Sequence, residues 1–450
     1  MFDILALLQC LDTSLEGTSL RRLSRIVFAL LAMTGRVTML GISRWAGKGG
    51  SYRTVQRFFY TLIPWAQVFW LFFRQHLFQA DDTYLLAGDE CVVTKSGDKT
   101  HGLGRFFSSL FGKPIPALAF FALSLISVNV RRSFPVRMAQ VVRSEAEKAA
   151  SQAKAEARKP KEPSQKRQPG RPKGSKTKNR ADVPLTPELA HIQTMVQAQL
   201  ELMGGLISIA YLLLDGHFGN NPALQMTRQC GLHLISKLRC DAALYLSYDG
   251  PYRGRGPRRK YGERLDYRHI PDKYLKQTTV EDHIQTCIYQ VHALHKEFAQ
   301  PLNVVIIVKT NLQTGAWAHV TLFSSDLALA YDKLIDYYCL RFQIEFNFRD
   351  AKQYWGLEDF MNVDETAVTN AANLSLFMVN FTYRLLREVH LTDPDCSVLD
   401  LKAHFRGYKY VDETLKLLPQ TPDPILMALI FSKVARLGRI HAAESCFGSA

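Results

Sequence analysis

A chain of 450 residues is too long for one ordinary domain and predicts two or three. Hydrophobic residues make up 47% and aromatics 11%, enough apolar material for a core, which excludes global disorder. The net charge of +15 points to a polyanionic partner or an acidic surface. Two short segments, 143–180 and 251–276, carry local excesses of +9 and +6, and the rest of the chain balances to zero.

Residues 1–82 read as a helical N-terminal DNA-binding region. Leu20, Leu23, Ile26, Val27, Leu30 and Leu31 recur at helical spacing and give one apolar face. A second amphipathic stretch around 37–45 and a third from Ser51 to Phe59 flank the Gly-rich break at 47–50. Ser51 suits an N-cap, and Arg53 and Arg57 stand four apart on one face as candidate DNA contacts. Two short helices about a turn resemble a helix-turn-helix, although an ordinary helical domain fits equally well.

From Thr83 the pattern turns to strands. An apolar run at 84–88 is interrupted at Asp89 and resumes at 91–93, and strands follow at 117–130 and 134–142. The stretch 143–184 is rich in Lys, Arg, Pro, Ala and Ser and is expected to be disordered alone. A helix at 186–202, capped by Thr186, leads to a strand at 206–214 that ends on Asp215. Further strands are expected at 232–236, 242–247, 304–309 and 318–323, then long helices at about 327–355 and 364–389 and a mostly helical tail. The eight cysteines form no C-x-x-C pair and no zinc-spaced cluster, which suits buried thiols in a reducing compartment. The first residues lack the basic flank of a signal peptide, and the longest weakly polar run, 115–130, is too short for a membrane span. A cytoplasmic protein without a membrane partner is expected.

Asp89 and Asp215 each interrupt or end an apolar run, where a carboxylate is unfavourable unless paired or metal-bound. They could converge on a divalent cation, or simply start turns. In 337–352, Tyr338, Arg341, Glu345 and Lys352 follow one another at steps of three, four and seven residues. At ~100° per residue they fall within roughly 60° of arc, one stripe of a helix. A carboxylate between two cations can hold a metal while its neighbours hold a phosphate; a solvated charged face is the plain alternative.

The spacing Tyr-x2-Arg-x3-Glu-x6-Lys resembles the Y-R-E-K signature of bacterial insertion-sequence transposases of the DDE class, and Asp215-Gly-His-Phe218 resembles that family's second-aspartate motif. The strand 85–93 is similar to its first-aspartate strand. The likeness covers about 83–360. It implies an α/β fold with an RNase H-like catalytic core (83–363) and a β-rich insertion (about 248–300), flanked by helical regions at 1–82 and 364–450. It implies further that Asp89, Asp215 and Glu345 are catalytic and hold two Mg²⁺ ions, with Mn²⁺ as a substitute. Tyr338, Arg341 and Lys352 would then bind the DNA end. The implied partners are double-stranded transposon ends and target DNA. A homodimer in a synaptic complex, formed through the helical C-terminal part, and a nucleoid-associated location complete the expectation. A nuclease that cuts without joining, and an inactive DNA-binding regulator, remain as alternatives.

Both basic segments suit nucleic acid. Segment 251–276 interleaves tyrosines with Arg258, Arg259, Lys260 and other cations, so phosphates can be held while aromatic faces stack on unpaired bases. In the other, Gly170-Arg171-Pro172 resembles the centre of an AT-hook, or belongs to a plain polybasic arm.

Overall fold

The computed structural model describes residues 3–108, 111–144, 149, 179–252, 254, 256, 258–420 and 422–441. Arg171 and most of the basic stretch 143–184 lie outside the described residues.

Five helices open the chain: α1 Ile4–Leu8, α2 Gly17–Ala32, α3 Met39–Trp45, α4 Tyr52–Phe59 and α5 Trp65–His76. The apolar face of α2 is buried through Leu23, Ile26, Val27, Leu30 and Leu31. Thr38 caps α3 by accepting the Gly41 N–H at 3.0 Å, and Ser51 caps α4 as its sequence position predicts. Four strands follow: β1 Tyr84–Thr94, β2 Gly104–Ser108, β3 Lys113–Ser127 and β4 Arg132–Val141. The strand expected over 85–93 runs through Asp89 without a break. Asp89 keeps its place in the antiparallel ladder opposite Ala122, because only its side chain, not its backbone, departs from the apolar pattern.

Next come α6 Pro187–Met203, β5 Tyr211–Leu213, α7 Asn221–Gln229 and β6 His233–Lys237. Thr186 caps α6, while the strand expected at 206–214 shrinks to three residues. Gly204 and Gly205 both take positive φ (58° and 77°) at the end of α6, and the chain needs the next residues to reach the sheet. Six more strands extend the sheet: β7 Leu244–Ser247, β8 Tyr261–Arg264, β9 Leu275–Glu281, β10 Ile284–His295, β11 Leu302–Asn311 and β12 Trp317–Ser324. The helices α8 Tyr331–Arg341, α9 Gln343–Trp355, α10 Glu365–Val389, α11 Val398–Leu415 and α12 Pro424–Val434 complete the described chain.

The single helix expected over 327–355 is two. At Phe342 the hydrogen bonds shorten to three-residue steps, with Phe342 N–H to the Cys339 carbonyl at 3.2 Å and Glu345 N–H to the Phe342 carbonyl at 3.1 Å. Residues 327–330 form the turn that leads into α8.

All twelve described strands belong to one mixed sheet. Its main path runs β2–β3–β1–β5–β6–β12–β11–β10–β7–β8, with β4 against β3 and β9 against β10. β1 and β5, and β5 and β6, are parallel; the other pairs are antiparallel. α5, α9 and α10 pack on β4, α9 also reaches β1, and α8 lies near β5, β6, β11 and β12. One hydrophobic cluster includes Leu30 of α2, Leu86 of β1, Val305 of β11, Trp355 of α9, Phe377 of α10 and Phe405 of α11. Among the described residues no helix is long and apolar enough to cross a membrane.

A buried lysine ties the ends of this core together. Lys402 of α11 donates to the Leu30 carbonyl at 2.7 Å and the Tyr354 carbonyl at 3.4 Å, and its ammonium stands 4.6 Å from the centre of the Trp355 ring. It therefore caps the C-termini of α2 and α9 at once, where unpaired carbonyls and the helix dipoles favour a cation. Arg406 adds a bond to the Ala32 carbonyl at 3.2 Å. Burial pushes the Lys402 ammonium down to about 8. Lys402→Met keeps the apolar stem but strands the Leu30 carbonyl, which should destabilise the fold by about 1–3 kcal/mol. Thermal unfolding checks this: a melting temperature equal to or above wild type would show that the ammonium is not needed.

Candidate active site

The site is assembled where β1, β5 and the α8–α9 kink meet. The parallel pair of Ala87 with Leu213 sets the register. Asp89 and Asp215 each lie two residues beyond that pair, so the two carboxylates leave adjacent strands at matching positions. Between them and the pair, Gly88 is held by close approach. A Cβ there would stand 2.7 Å from the Phe121 ring and 3.0 Å from Leu214.

Asp215 follows β5 and heads a short 3₁₀ turn, Gly216–Phe218, by accepting the His217 N–H at 3.1 Å. Asp89 accepts the N–H of Glu90 at 2.9 Å on one oxygen. Its other oxygen takes Nη1 of Arg341 at 2.9 Å, and Nη2 of the same guanidinium reaches Glu345 at 3.1 Å. Arg341 is thus shared by two of the three expected catalytic carboxylates. Its side chain is only 12% exposed, against 19% for Asp89 and 41% for Glu345, so the pair with Asp89 is the better shielded. The Nε of Arg341 is buried without a partner.

The electrostatics follow from this burial. Desolvation pushes Asp89 up to about 6; Arg341 and the Glu90 N–H pull it down, while the charges of Asp215 and Glu345 push it up again. For Arg341, burial works against the charge, but Asp89 and Glu345 outweigh it and the guanidinium is held above its ordinary value. Tyr338 is raised by burial; Arg341 beside it pulls the other way, and Asp215 adds to the rise. Its ring centre is 5.9 Å from the guanidinium. Tyr338, Arg341, Glu345, Asp89 and Asp215 therefore belong to one neighbourhood, although the first two and the third stand on different helices.

Lys352, about two turns further along α9 from Glu345, turns to other partners. Its Nζ donates to the Val92 carbonyl at 2.9 Å and pairs with Glu358 at 2.9 Å. Arg53 and Arg57 stand exposed on α4. Arg258, Arg259 and Lys260 are exposed on the connection between β7 and β8, beside an open groove of about 850 Å³ lined by Tyr248, Lys273, Tyr274, Lys276 and His292. Arg259 lies 4.9 Å from the ring centre of Tyr248.

A second group of charges near the site carries no sequence pattern of its own. Glu90 is raised by burial and by the charge of Glu188, and Glu188 approaches Nε2 of His217 at 3.7 Å, raising that imidazole. Glu188 reads in sequence only as a first-turn acid of α6, and only folding brings it to β1.

Three carboxylates with hard oxygen atoms suit Mg²⁺ in donor chemistry, and the Arg341 guanidinium already supplies positive charge between two of them. They are not closed into a ligand set: among the described residues no three His, Cys, Asp or Glu side chains come together at metal-holding distances.

The raised Asp89 has a consequence for the metal-free protein. Its folded pKa of about 6 lies above the ordinary 3.8, so the folded state binds more protons between those values and loses stability as pH rises through that window. Asp89→Asn removes this term, worth on the order of 2 kcal/mol. Melting curves taken from pH 4 to 7 in a chelator should show the wild type losing ground to the variant; parallel curves would contradict the assignment.

The chain has no match among curated proteins. A sequence-family model does match it, over residues 6–296, which includes α2 to α5, the segments of Asp89 and Asp215, and β10 but stops short of α8 and α9. On that match, the chain belongs to the DDE superfamily endonucleases and is a nuclease-type enzyme whose substrate class is DNA.

Proposed function

We propose that the protein is the transposase of a bacterial insertion sequence. It would bind the terminal inverted repeats, cut at the element's ends by phosphodiester hydrolysis, and join the freed 3′-hydroxyl to target DNA. The observation that carries this reading is the sharing of Arg341 between Asp89 and Glu345, at 2.9 and 3.1 Å, with Asp215 one strand away. The order β4–β3–β1–β5–β6, antiparallel up to β1 and parallel beyond it, supports an RNase H-like core, with β8, β9 and β10 in its β-rich insertion of about 248–300.

Two Mg²⁺ ions, with Mn²⁺ as a substitute, would activate the attacking oxygen and stabilise the leaving one. Asp89 is the residue assigned to both ions, with Asp215 and Glu345 assigned to one each. Arg341 then exchanges a carboxylate for a DNA phosphate, to whose oxygens the two ends of its planar fork can donate. Tyr338 and Lys352 complete the grip on the 5′ side of the cut. A hairpin intermediate is carried over from the signature-bearing family.

The exposed cations of α4 and of the β7–β8 connection supply further phosphate contacts, and Tyr248 and Tyr274 offer faces for unpaired bases. Strand transfer needs two ends held together. Helix α12 has no buried residue, and Ile425, Leu426 and Leu429 on it are exposed, which supports a homodimer formed through this part. A cytoplasmic, nucleoid-associated location fits this activity.

Glu345→Ala should abolish cutting of a duplex carrying the element's ends in Mg²⁺ while leaving its affinity for that duplex within about threefold. Equal cutting by the variant would remove Glu345 from the mechanism, and cutting by wild type without joined product would favour a plain nuclease. Replacing Arg258, Arg259 and Lys260 by Gln should lower the slope of log affinity against log salt by about 2–3, near 0.9 per lost phosphate contact. An unchanged slope would leave the β7–β8 connection a solvated hairpin.

A further inference from the structure

The turn that follows α9 is bolted to the N-terminal helices on both sides. Asp359 accepts the backbone N–H of Val37 at 3.0 Å on one oxygen and faces Nε of Arg36 at 3.6 Å on the other. Val37 immediately precedes Thr38, the cap of α3. Gly356, with φ 78°, lies so close to this strand of chain that a Cβ would stand 2.2 Å from Cβ of Val37. At the other end of the helical pair, Tyr60, just past α4, donates to Asp364 at 2.8 Å. The buried amide of Asn370 donates to the carbonyls of Phe59 and Thr61 at 2.7 and 2.8 Å and accepts the Trp65 indole N–H at 2.7 Å.

The same turn is fixed to the catalytic sheet. Lys95, just past β1, donates to the carbonyls of Glu358 and Phe360 at 3.1 and 2.7 Å, and Lys352 of α9 pairs with Glu358. Burial pushes the Lys95 ammonium down to about 8, and the group stands 3.5 Å from the centre of the Phe360 ring. The segment 356–370 therefore reaches the residues just before α3, the end of α4, the residue just past β1, and α9 through polar contacts of ordinary length. Glu345 and Gly356 are separated by roughly 16 Å of helix, a stiff rod at this length.

We propose that Asp359 is a positioning residue for cleavage: by holding Val37 to the turn at 356–364 it fixes the distance from the helical pair α3–α4 to Glu345, and so selects the phosphate that is cut. The inference rests on the proposed DNA contacts of α4 and on the proposed catalytic role of Glu345. In a protein whose DNA-reading helices were tethered loosely, recognition and cutting would be connected only by a flexible linker, and the cut would be fixed by local sequence alone. Here the α9 rod and the Asp359 tie act as a ruler between the two.

The experiment uses the full chain with an end-bearing duplex in Mg²⁺ and maps the cut positions at single-nucleotide resolution. Asp359→Ala should spread the cuts over neighbouring phosphates while affinity for the duplex in Ca²⁺ stays within about twofold of wild type. Asp359→Asn keeps an oxygen for the Val37 N–H and should retain the single cut. Tyr60→Phe removes only an exposed tie at the far end of the pair and provides a second variant if Asp359→Ala does not fold; it should spread the cuts to a lesser degree. A foldable Asp359→Ala, or failing that Tyr60→Phe, that cuts only at the wild-type phosphate, at whatever rate, overturns the proposal. If wild type itself makes no cut, the proposed function falls, and amide exchange in the absence of DNA then decides the coupling. Asp359→Ala, or Tyr60→Phe in its place, must speed exchange in both α3 and the last turn of α9; unchanged exchange in α9 overturns it.

Discussion

The guanidinium shared by Asp89 and Glu345 is the constraint on which the centre of this molecule depends. Two carboxylates brought near a third repel one another, and enclosure raises the energy of each charge. Asp89 shows the effect by titrating well above an ordinary aspartate even with Arg341 at 2.9 Å. Three local features make the contact. Gly88 lets β1 pass against Phe121 and Leu214, the parallel register brings β5 alongside, and the four-residue step from Arg341 to Glu345 keeps the two side chains on one face across the break at Phe342. A continuous helix from 327 to 355 would have given the four signature residues one straight stripe. The break at Phe342 instead places Tyr338 and Arg341 on one helix and Glu345 on the next.

Both signature cations are engaged by the chain's own oxygens. Arg341 is occupied by Asp89 and Glu345, and Lys352 by Glu358 and the Val92 carbonyl. In the proposed mechanism a DNA end does not fill an empty cradle; it competes with internal carboxylates for cations already in place. That competition is workable because the partners are unequally buried. Glu345 and Glu358 are the exposed partners, at 41% and 47%, and can be released into solvent, whereas Asp89 is enclosed.

Much of this was legible in the sequence, for definite reasons. Thr186 and Ser51 announce their helices because a capping hydroxyl acts locally, and the apolar face of α2 is periodic over a long window. Asp89, Asp215 and Glu345 stand out because a carboxylate at the end of an apolar run, or between cations at helical spacing, needs a partner. What stayed hidden depends on distance along the chain. Glu188 lies about a hundred residues from Glu90, and nothing near Asp359 points to Val37, some three hundred residues away. The break at Phe342 was hidden for a different reason, since no Pro or Gly marks it and the flanking residues are good helix formers. The strand β8 was masked by the basic composition of 251–276, and β9 by the exposure of all its residues, which leaves no buried face to read.

The same long-range ties decide how the helical ends relate to the sheet. Regions joined by a linker and a small polar interface are expected to move relative to one another. Here α2, α9 and α11 meet at the Lys402 ammonium, α4 is fastened to α10 by Asn370, and one apolar cluster passes through all of them. Buried polar groups such as Asn370 and Lys402 add directional bonds to that packing, because each has several partners that no shifted arrangement would satisfy together. A DNA duplex bound by α4 would thus be held by the same rigid body that carries Glu345. The distance between reading and cutting then becomes a property of the fold itself, set by the length of α9 and the turn that ends it.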